Sequence, residues 1–180
     1  MLEVSLTALT FLTQIVMGLI VTNPLALSAP ADIHEELYCL ALNAYHEARG
    51  VSMDEMIAVS QVVMNRVDNS KHYTTVCDVI TEGPIRQSWR SIMDDTLKDE
   101  ERVWYPIRDK CQFSWYCDGK SDMPMEEDAW ETALIVSEDI LVNRPMVLKG
   151  AIHYHAIDVN PKWAKTKTFI TRIGDHLFYK

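Results

Sequence analysis

The chain has 180 residues and a formal net charge of −9 at pH 7, with 48% hydrophobic and 24% charged residues. This length is typical of one domain, and the apolar fraction excludes a disordered chain. The acidic balance argues against a nucleic-acid binder, because contacts with phosphates need clustered Lys and Arg. An acidic, globular, single-domain protein is expected.

The N-terminal segment is typical of an exported protein. Residues 4–31 contain no charged side chain, and residues 6–21 are mostly apolar. Ala29 and Ala31 form the A-x-A pattern of signal-peptide cleavage, which leaves residues 32–180 as the mature domain. Residues 1–31 are therefore predicted to be a signal peptide. Signal peptides usually have a basic residue near the N-terminus, but this chain has Glu3 there. Two alternatives therefore remain: a weak membrane anchor with transient contact through residues 4–22, and a buried helix of the domain.

The remaining chain predicts a helix-dominated α+β domain. A first helix over residues 32–49 is closed by Gly50, and a Ser52-x-x-Glu55 capping box begins a second helix that reaches Val67. Residues 82–110 are expected to be a long surface loop with one short helix over residues 94–102. The pattern then predicts these further elements: an extended segment over 111–117, a helix from Pro124 to Asn143, a strand over 151–156, and a hairpin of residues 168–173 and 176–179.

Four cysteines suit an oxidising compartment. If residues 111–117 are extended, Cys111 and Cys117 lie about 20 Å apart at roughly 3.3 Å per residue. A disulfide needs Cα atoms about 4.4–6.8 Å apart. We therefore expect Cys77 to pair with Cys111 or Cys117, and Cys39 to remain a buried thiol in the first helix.

Glu47 lies in the last turn of the first helix, at the edge of its apolar face. Partial burial raises the pKa of a carboxyl group, as the negative end of a helix does, and a raised pKa suits a general acid. From spacing alone, a surface Glu paired with Arg49 is the favoured interpretation.

Two further clusters suggest chemistry. Residues 112–116 combine aromatic and amide groups, which are typical of a sugar-binding cleft and equally of a core strand. His153, His155 and His176 suggest a metal site, but no established ligand spacing is present. Histidines hydrogen bonded within a cleft are the preferred interpretation, and no metal or other cofactor is expected.

Five segments appear together in the order known from one family: NAYHEARG (43–50), VVMNRV (62–67), CQFSWYCDG (111–119), AIHYHAIDVNPKWA (151–164) and IGDHLFY (173–179). The chain thus resembles the SleB-type cell-wall hydrolases over residues 37–179. The resemblance implies a lysozyme-like fold, related to goose-type lysozymes and lytic transglycosylases. It also implies cleavage of peptidoglycan glycan strands between N-acetylmuramic acid and N-acetylglucosamine.

The resemblance also implies roles for single residues. Glu47 matches the family's catalytic glutamate. Six other motif residues are implied to line or support the cleft: Gln112, Ser114, Trp115, Tyr154, Trp163 and His176. Residues 82–110 are longer than in the shortest members, which leaves the glycan preference open.

One credible acid favours a lytic transglycosylase over a two-carboxylate glycosidase. The cysteine-flanked segment at 111–117 resembles bacteriophage members, so we expect a monomeric phage endolysin that is exported to the periplasm or envelope and acts on the host wall. Two alternatives remain: a zinc amidase or peptidase that uses His153, His155 and His176, and a wall-binding module without activity.

Overall fold

A computed structural model describes the backbone of residues 31–180 and the side chains from residue 33 onward. The predicted signal peptide or anchor lies outside the described side chains and stays a prediction. No helix within residues 31–180 is long and apolar enough to cross a membrane. Residues 35–180 cluster as one unit, and the contacts below all lie within it.

Two long helices begin the domain as predicted. Helix α1 spans Ala31–Ala48 and is followed by Gly50, whose φ of +83° is the left-handed conformation that closes many helices. Helix α2 spans Met53–Asn69, and the Ser52 hydroxyl accepts a hydrogen bond from the Glu55 backbone N–H at 3.3 Å. Only this half of the predicted capping box forms, because the Glu55 carboxylate accepts hydrogen bonds from Asp175 and His176 instead.

The core is built around α2, whose middle residues, including Val59, Val62 and Val63, are fully buried. The apolar face of α1 joins the same core through Leu40, Ala44 and other residues. Helix α3 (Val76–Ile80) and helix α5 (Glu127–Asn143) pack against α2. Helix α5 confirms the predicted helix that ends at Asn143.

Residues 82–110 form a hairpin instead of the predicted loop. Strands β1 (Ile85–Gln87) and β2 (Trp104–Pro106) pair antiparallel around helix α4 (Trp89–Met93) and a 3₁₀ turn, Asp99–Glu101. The prediction of a helix over residues 94–102 is wrong apart from that turn. The excursion is closed by Arg102, whose guanidinium donates to the carbonyls of Ser91 and Leu97 at 2.8 and 3.0 Å.

The disulfide prediction is also wrong. Cys39 pairs with Cys77, which joins α1 to α3, and Cys111 pairs with Cys117. Residues Ser114–Cys117 form a 3₁₀ helix, not an extended segment, so the chain turns back and the Cα atoms of Cys111 and Cys117 are 6.1 Å apart. Cys39 is therefore not a free thiol.

A three-stranded antiparallel sheet completes the fold. Strands β3 (His153–Ala156), β4 (Phe169–Ile173) and β5 (His176–Tyr179) are ordered β3-β5-β4, with a 3₁₀ helix, Lys162–Thr166, between β3 and β4. The predicted strand and hairpin are confirmed. Tyr154 pairs with Phe178 and Ala156 with His176, so Tyr154 and His176 share one face of the sheet.

Candidate active site

Glu47 and Tyr154 form the centre of the site. The Tyr154 hydroxyl, on edge strand β3, donates to Glu47 Oε2 at 2.9 Å. Burial raises the pKa of Glu47, while this hydrogen bond and the charges of three neighbours, His176, Arg66 and His46, act in the opposite direction. Burial and the Glu47 carboxylate also raise the pKa of Tyr154 well above its usual range. Tyr154 therefore remains a hydrogen-bond donor across the physiological pH range.

Arg66 brings a positive charge close to this pair. It lies on α2, donates through Nε to the Ile152 carbonyl at 2.8 Å, and places its guanidinium 5.3 Å from the centre of the Phe113 ring. Burial lowers its pKa, and the nearby phenol and carboxylates counteract that effect. The charged groups that shift the pKa of Glu47 are thus Arg66 and two histidines, and none of them is a carboxylate.

Helix α1 also holds Trp115 beside Glu47. The Trp115 indole N–H donates to Asn43 Oδ1 at 3.2 Å, and its ring stacks on His46 with centroids 4.5 Å apart. Residues 43, 46 and 47 lie on one face of the helix because of their i, i+3 and i+4 spacing. The same face therefore fixes the indole and presents the carboxylate.

A buried pair supports Tyr154 from behind. His176 Nδ1 donates to Glu55 Oε1 at 2.7 Å, and the backbone N–H of Asp175 donates to the same oxygen at 2.8 Å. The His176 ring meets Tyr154 edge to face at 5.4 Å. A Cβ at Gly174 would overlap the Glu55 carboxylate, so only glycine fits there. Sequence reasoning missed Glu55, because its place in a capping pattern already explained it.

A groove of about 810 Å³ runs along the edge strand β3. Four of the six predicted cleft residues line it: Gln112, Ser114, Tyr154 and Trp163. Trp115 instead lines a second depression of about 410 Å³, together with His46. His176 is only 9% exposed and supports the cleft without lining it. Glu47 lines neither depression; it is hydrogen bonded to Tyr154, which lines the groove, and it follows His46, which lines the second depression.

The three histidines of the zinc alternative do not converge. His153 and His155 point to one face of the sheet and His176 to the other. His155 Nε2 lies 3.0 Å from the Tyr179 hydroxyl, and His176 is held by Glu55. The side chains described from residue 33 onward contain no group of three His, Cys, Asp or Glu residues arranged to hold a metal ion.

A protein-family model described as cell wall hydrolase matches residues 50–179. The match covers the groove residues and the Glu55–His176 pair, and it begins three residues after Glu47. The position of Glu47 in the site therefore depends on the geometry given above.

Two solved structures are similar in fold. The catalytic domain of the germination-specific lytic transglycosylase SleB from Bacillus anthracis aligns with a TM-score of 0.55 and 23% identity, over 85% of this chain and 98% of that chain. The catalytic domain of the SleB protein from Bacillus cereus aligns with a TM-score of 0.50 and 24% identity, over 81% and 91%. These similarities confirm the predicted fold class. A comparison with curated proteins gives no match.

Proposed function

The chain belongs to the cell wall hydrolase family, and we propose that it is a lytic transglycosylase that cleaves peptidoglycan between N-acetylmuramic acid and N-acetylglucosamine. The observation that carries this proposal is the environment of Glu47. It is a carboxyl group whose pKa is raised by burial, which accepts one hydrogen bond from Tyr154 and lies near the positive charge of Arg66.

In the first step, Glu47 acts as the general acid. Its raised pKa keeps a fraction of the enzyme protonated at a pH where an exposed Glu is ionised. The proton goes to the glycosidic oxygen, and the bond from that oxygen to C1 of the muramyl sugar breaks. The Tyr154 hydrogen bond and the positive charge of Arg66 stabilise the carboxylate that remains.

In the second step, the same carboxylate acts as the base. It takes the proton of the 6-hydroxyl group of the muramyl sugar, and O6 attacks C1 to close a 1,6-anhydro ring. No water is consumed, and Glu47 returns to its protonated form. One carboxylate is sufficient for both steps, whereas a hydrolytic glycosidase uses two.

The two depressions beside Glu47 suit a glycan strand that crosses the site. Trp163 on one side and Trp115 on the other offer ring faces on which sugars can stack. Gln112 and Ser114 are exposed and add hydrogen-bonding groups next to Trp115.

Digestion of peptidoglycan in heavy-oxygen water tests the mechanism. Mass spectrometry should find 1,6-anhydromuramyl ends that carry no label, and labelled reducing ends would show that water is the nucleophile.

Glu47→Gln should lose activity by at least about 10²–10⁴-fold, the usual contribution of general acid–base catalysis. Glu131→Gln, a control on an exposed position of α5, should keep full activity. Substantial activity in Glu47→Gln would overturn the site assignment.

We also propose that the protein is exported and serves as a phage lysis enzyme. The uncharged segment 4–31 and the two disulfides support export, since disulfides persist in oxidising compartments. Expression of the full chain in a bacterial host should place a product that begins near Asp32 in the envelope fraction and cause lysis. An intact chain found only in the cytoplasm of unlysed cells would contradict this proposal.

A further inference from the structure

The groove along β3 carries two positive charges, and the proposed cleavage chemistry uses only that of Arg66. Arg66 and Lys167 line it, together with His153 and His155, and no carboxylate belongs to its lining. The chain as a whole has a net charge of −9. The cationic lining is therefore a local feature of this groove and not a consequence of the overall composition.

Neither cation has an acidic partner. Within residues 33–180, neither Arg66 nor Lys167 forms an ion pair. Glu82 and Glu47 act on Arg66 only through space. Nη1 of Arg66 is buried and has no hydrogen-bond partner among the described residues. The guanidinium thus keeps hydrogen-bonding capacity that the described residues do not use.

Arg66, His153 and Lys167 line the same groove. Burial lowers the pKa of His153, and the charges of Lys167 and Arg66 lower it further. His153 Nε2 is also buried without a partner in the described chain. The three side chains therefore share this groove with Tyr154, and the His153 ring lies on the opposite face of β3 from the Tyr154 ring.

We infer that Arg66, His153 and Lys167 form a subsite for a carboxylate carried by the 3-O-lactyl group of a muramyl sugar. This inference rests on the proposed function and deepens it. N-Acetylmuramic acid differs from N-acetylglucosamine only by this lactyl ether, which ends in a carboxylate or in a stem peptide with carboxylates of its own. A guanidinium matches the geometry of a carboxylate, and an ammonium group adds charge.

The subsite determines the register of the glycan strand, that is, which sugar of the repeat lies at which position of the groove. Both sugars of the repeat offer similar ring faces to an aromatic platform, so stacking alone does not select the bond to be cleaved. A cationic subsite in this groove binds the muramyl sugar in preference to the glucosamine sugar, and so fixes the register in which the strand passes the site.

Binding measurements on the inactive Glu47→Gln full chain test this inference separately from the chemistry. Three probes are compared by isothermal titration calorimetry: soluble glycan strands that keep their stem peptides, strands freed of peptides by an amidase, and freed strands whose carboxyl groups are coupled to methylamine. Both anionic probes should bind at least about tenfold more tightly than the neutral one, the usual effect of losing one charge-assisted hydrogen bond. If the freed strands bind more tightly than the peptide-bearing strands, the group in the subsite is the lactyl carboxylate itself. If the peptide-bearing strands bind more tightly, it is a carboxylate of the stem peptide. Equal affinity for all three probes would overturn the subsite.

Substitutions locate the effect. Lys167→Gln in the active enzyme should raise KM for anionic glycan about tenfold, and added salt should reduce the difference between the variant and the parent. Lys165→Gln, on the neighbouring turn and outside the groove lining, should not change KM. Arg66→Lys keeps the charge but loses the planar guanidinium, and it should also raise KM. An unchanged KM in Lys167→Gln would overturn the subsite, whereas labelled reducing ends in the product analysis would overturn only the transglycosylase mechanism.

Discussion

At the scale of single residues, the site combines a buried carboxyl group, Glu47, which is costly to ionise, with two neighbours, Tyr154 and Arg66, that lower this cost. Burial raises the pKa of Glu47, and a hydrogen bond and nearby cations limit the rise. This balance suits a residue that must give up a proton and take one back in the same turnover. It also links the function of Glu47 to the stability of the fold.

Tyr154→Phe removes the hydrogen bond that lowers the pKa of Glu47. The pKa of Glu47 should therefore rise further, and the alkaline limb of the kcat/KM profile, where the acid loses its proton, should move to higher pH. Turbidity assays on purified peptidoglycan over a pH series would measure this shift. Tyr105→Phe, an exposed tyrosine on β2, is the control. A limb that moves to lower pH would contradict the role given to Tyr154.

Glu47→Gln should make the fold more stable at neutral pH. The folded-state pKa of Glu47 lies above its unfolded value, so its contribution to stability is present below the unfolded pKa of about 4.3 and is lost as pH rises through the folded pKa. At pH 7 the buried carboxylate therefore opposes folding, and the neutral amide does not. Urea unfolding should show a gain for Glu47→Gln at pH 7 that disappears below about pH 4. A variant less stable than the parent at pH 7 would refute this.

At the scale of elements, α1 and β3 position the site and the Glu55–His176 pair connects their supports. Glu55 is at the start of α2, and His176 begins β5, the central strand of the sheet. The pair therefore ties the sheet that carries Tyr154 to the helix that forms the centre of the core.

Glu55→Ala should cost about 1–3 kcal/mol, since it leaves the buried Nδ1–H group of His176 and the backbone N–H of Asp175 without their acceptor. Asp68→Ala is the matched control: it breaks an exposed pair with Arg144 at 3.2 Å, and such pairs contribute about 0–1 kcal/mol. Urea unfolding followed by circular dichroism compares the two variants. Equal losses of unfolding free energy in the two variants would show that the buried Glu55–His176 pair stabilises the fold no more than an exposed ion pair does.

At the scale of the whole molecule, charge and covalent links are unevenly placed. Residues 149–180 hold six basic and two acidic residues, while residues 32–148 carry a net charge of −12. The sheet lies in the basic part, and Lys167 from this part lines the groove. The two disulfides lie in the acidic part and tie α1 to α3 and residue 111 to residue 117.

The two disulfides should differ in their effect on stability. In the chain-entropy estimate, a link that spans 38 residues stabilises by about 4 kcal/mol and one that spans 6 by about 2 kcal/mol. The double substitution Cys39→Ala with Cys77→Ala should therefore lower the urea midpoint more than Cys111→Ala with Cys117→Ala. A larger loss for Cys111→Ala with Cys117→Ala would show that the short disulfide stabilises the folded state through packing, in addition to restricting the unfolded chain.

Local signals in the sequence determined much of this protein. Helix α1 ends where Gly50 permits a left-handed turn, α2 begins at its Ser52 cap, and apolar periodicity defines the buried faces of both. The family motifs predicted the cell wall hydrolase family that the match over residues 50–179 shows. The helix ends and buried faces follow from the sequence because each depends on contacts within a few residues along the chain.

Only the tertiary structure decided which side chains meet. The Tyr154–Glu47 hydrogen bond joins residues 107 apart in sequence, and the Glu55–His176 bond joins residues 121 apart. The disulfide pairing changed because a short 3₁₀ helix turned Cys117 back towards Cys111. Strand register sent His176 to the opposite face from His153. Apart from the local turn between Cys111 and Cys117, each outcome depends on how distant elements pack together, and local patterning carries no information about that packing.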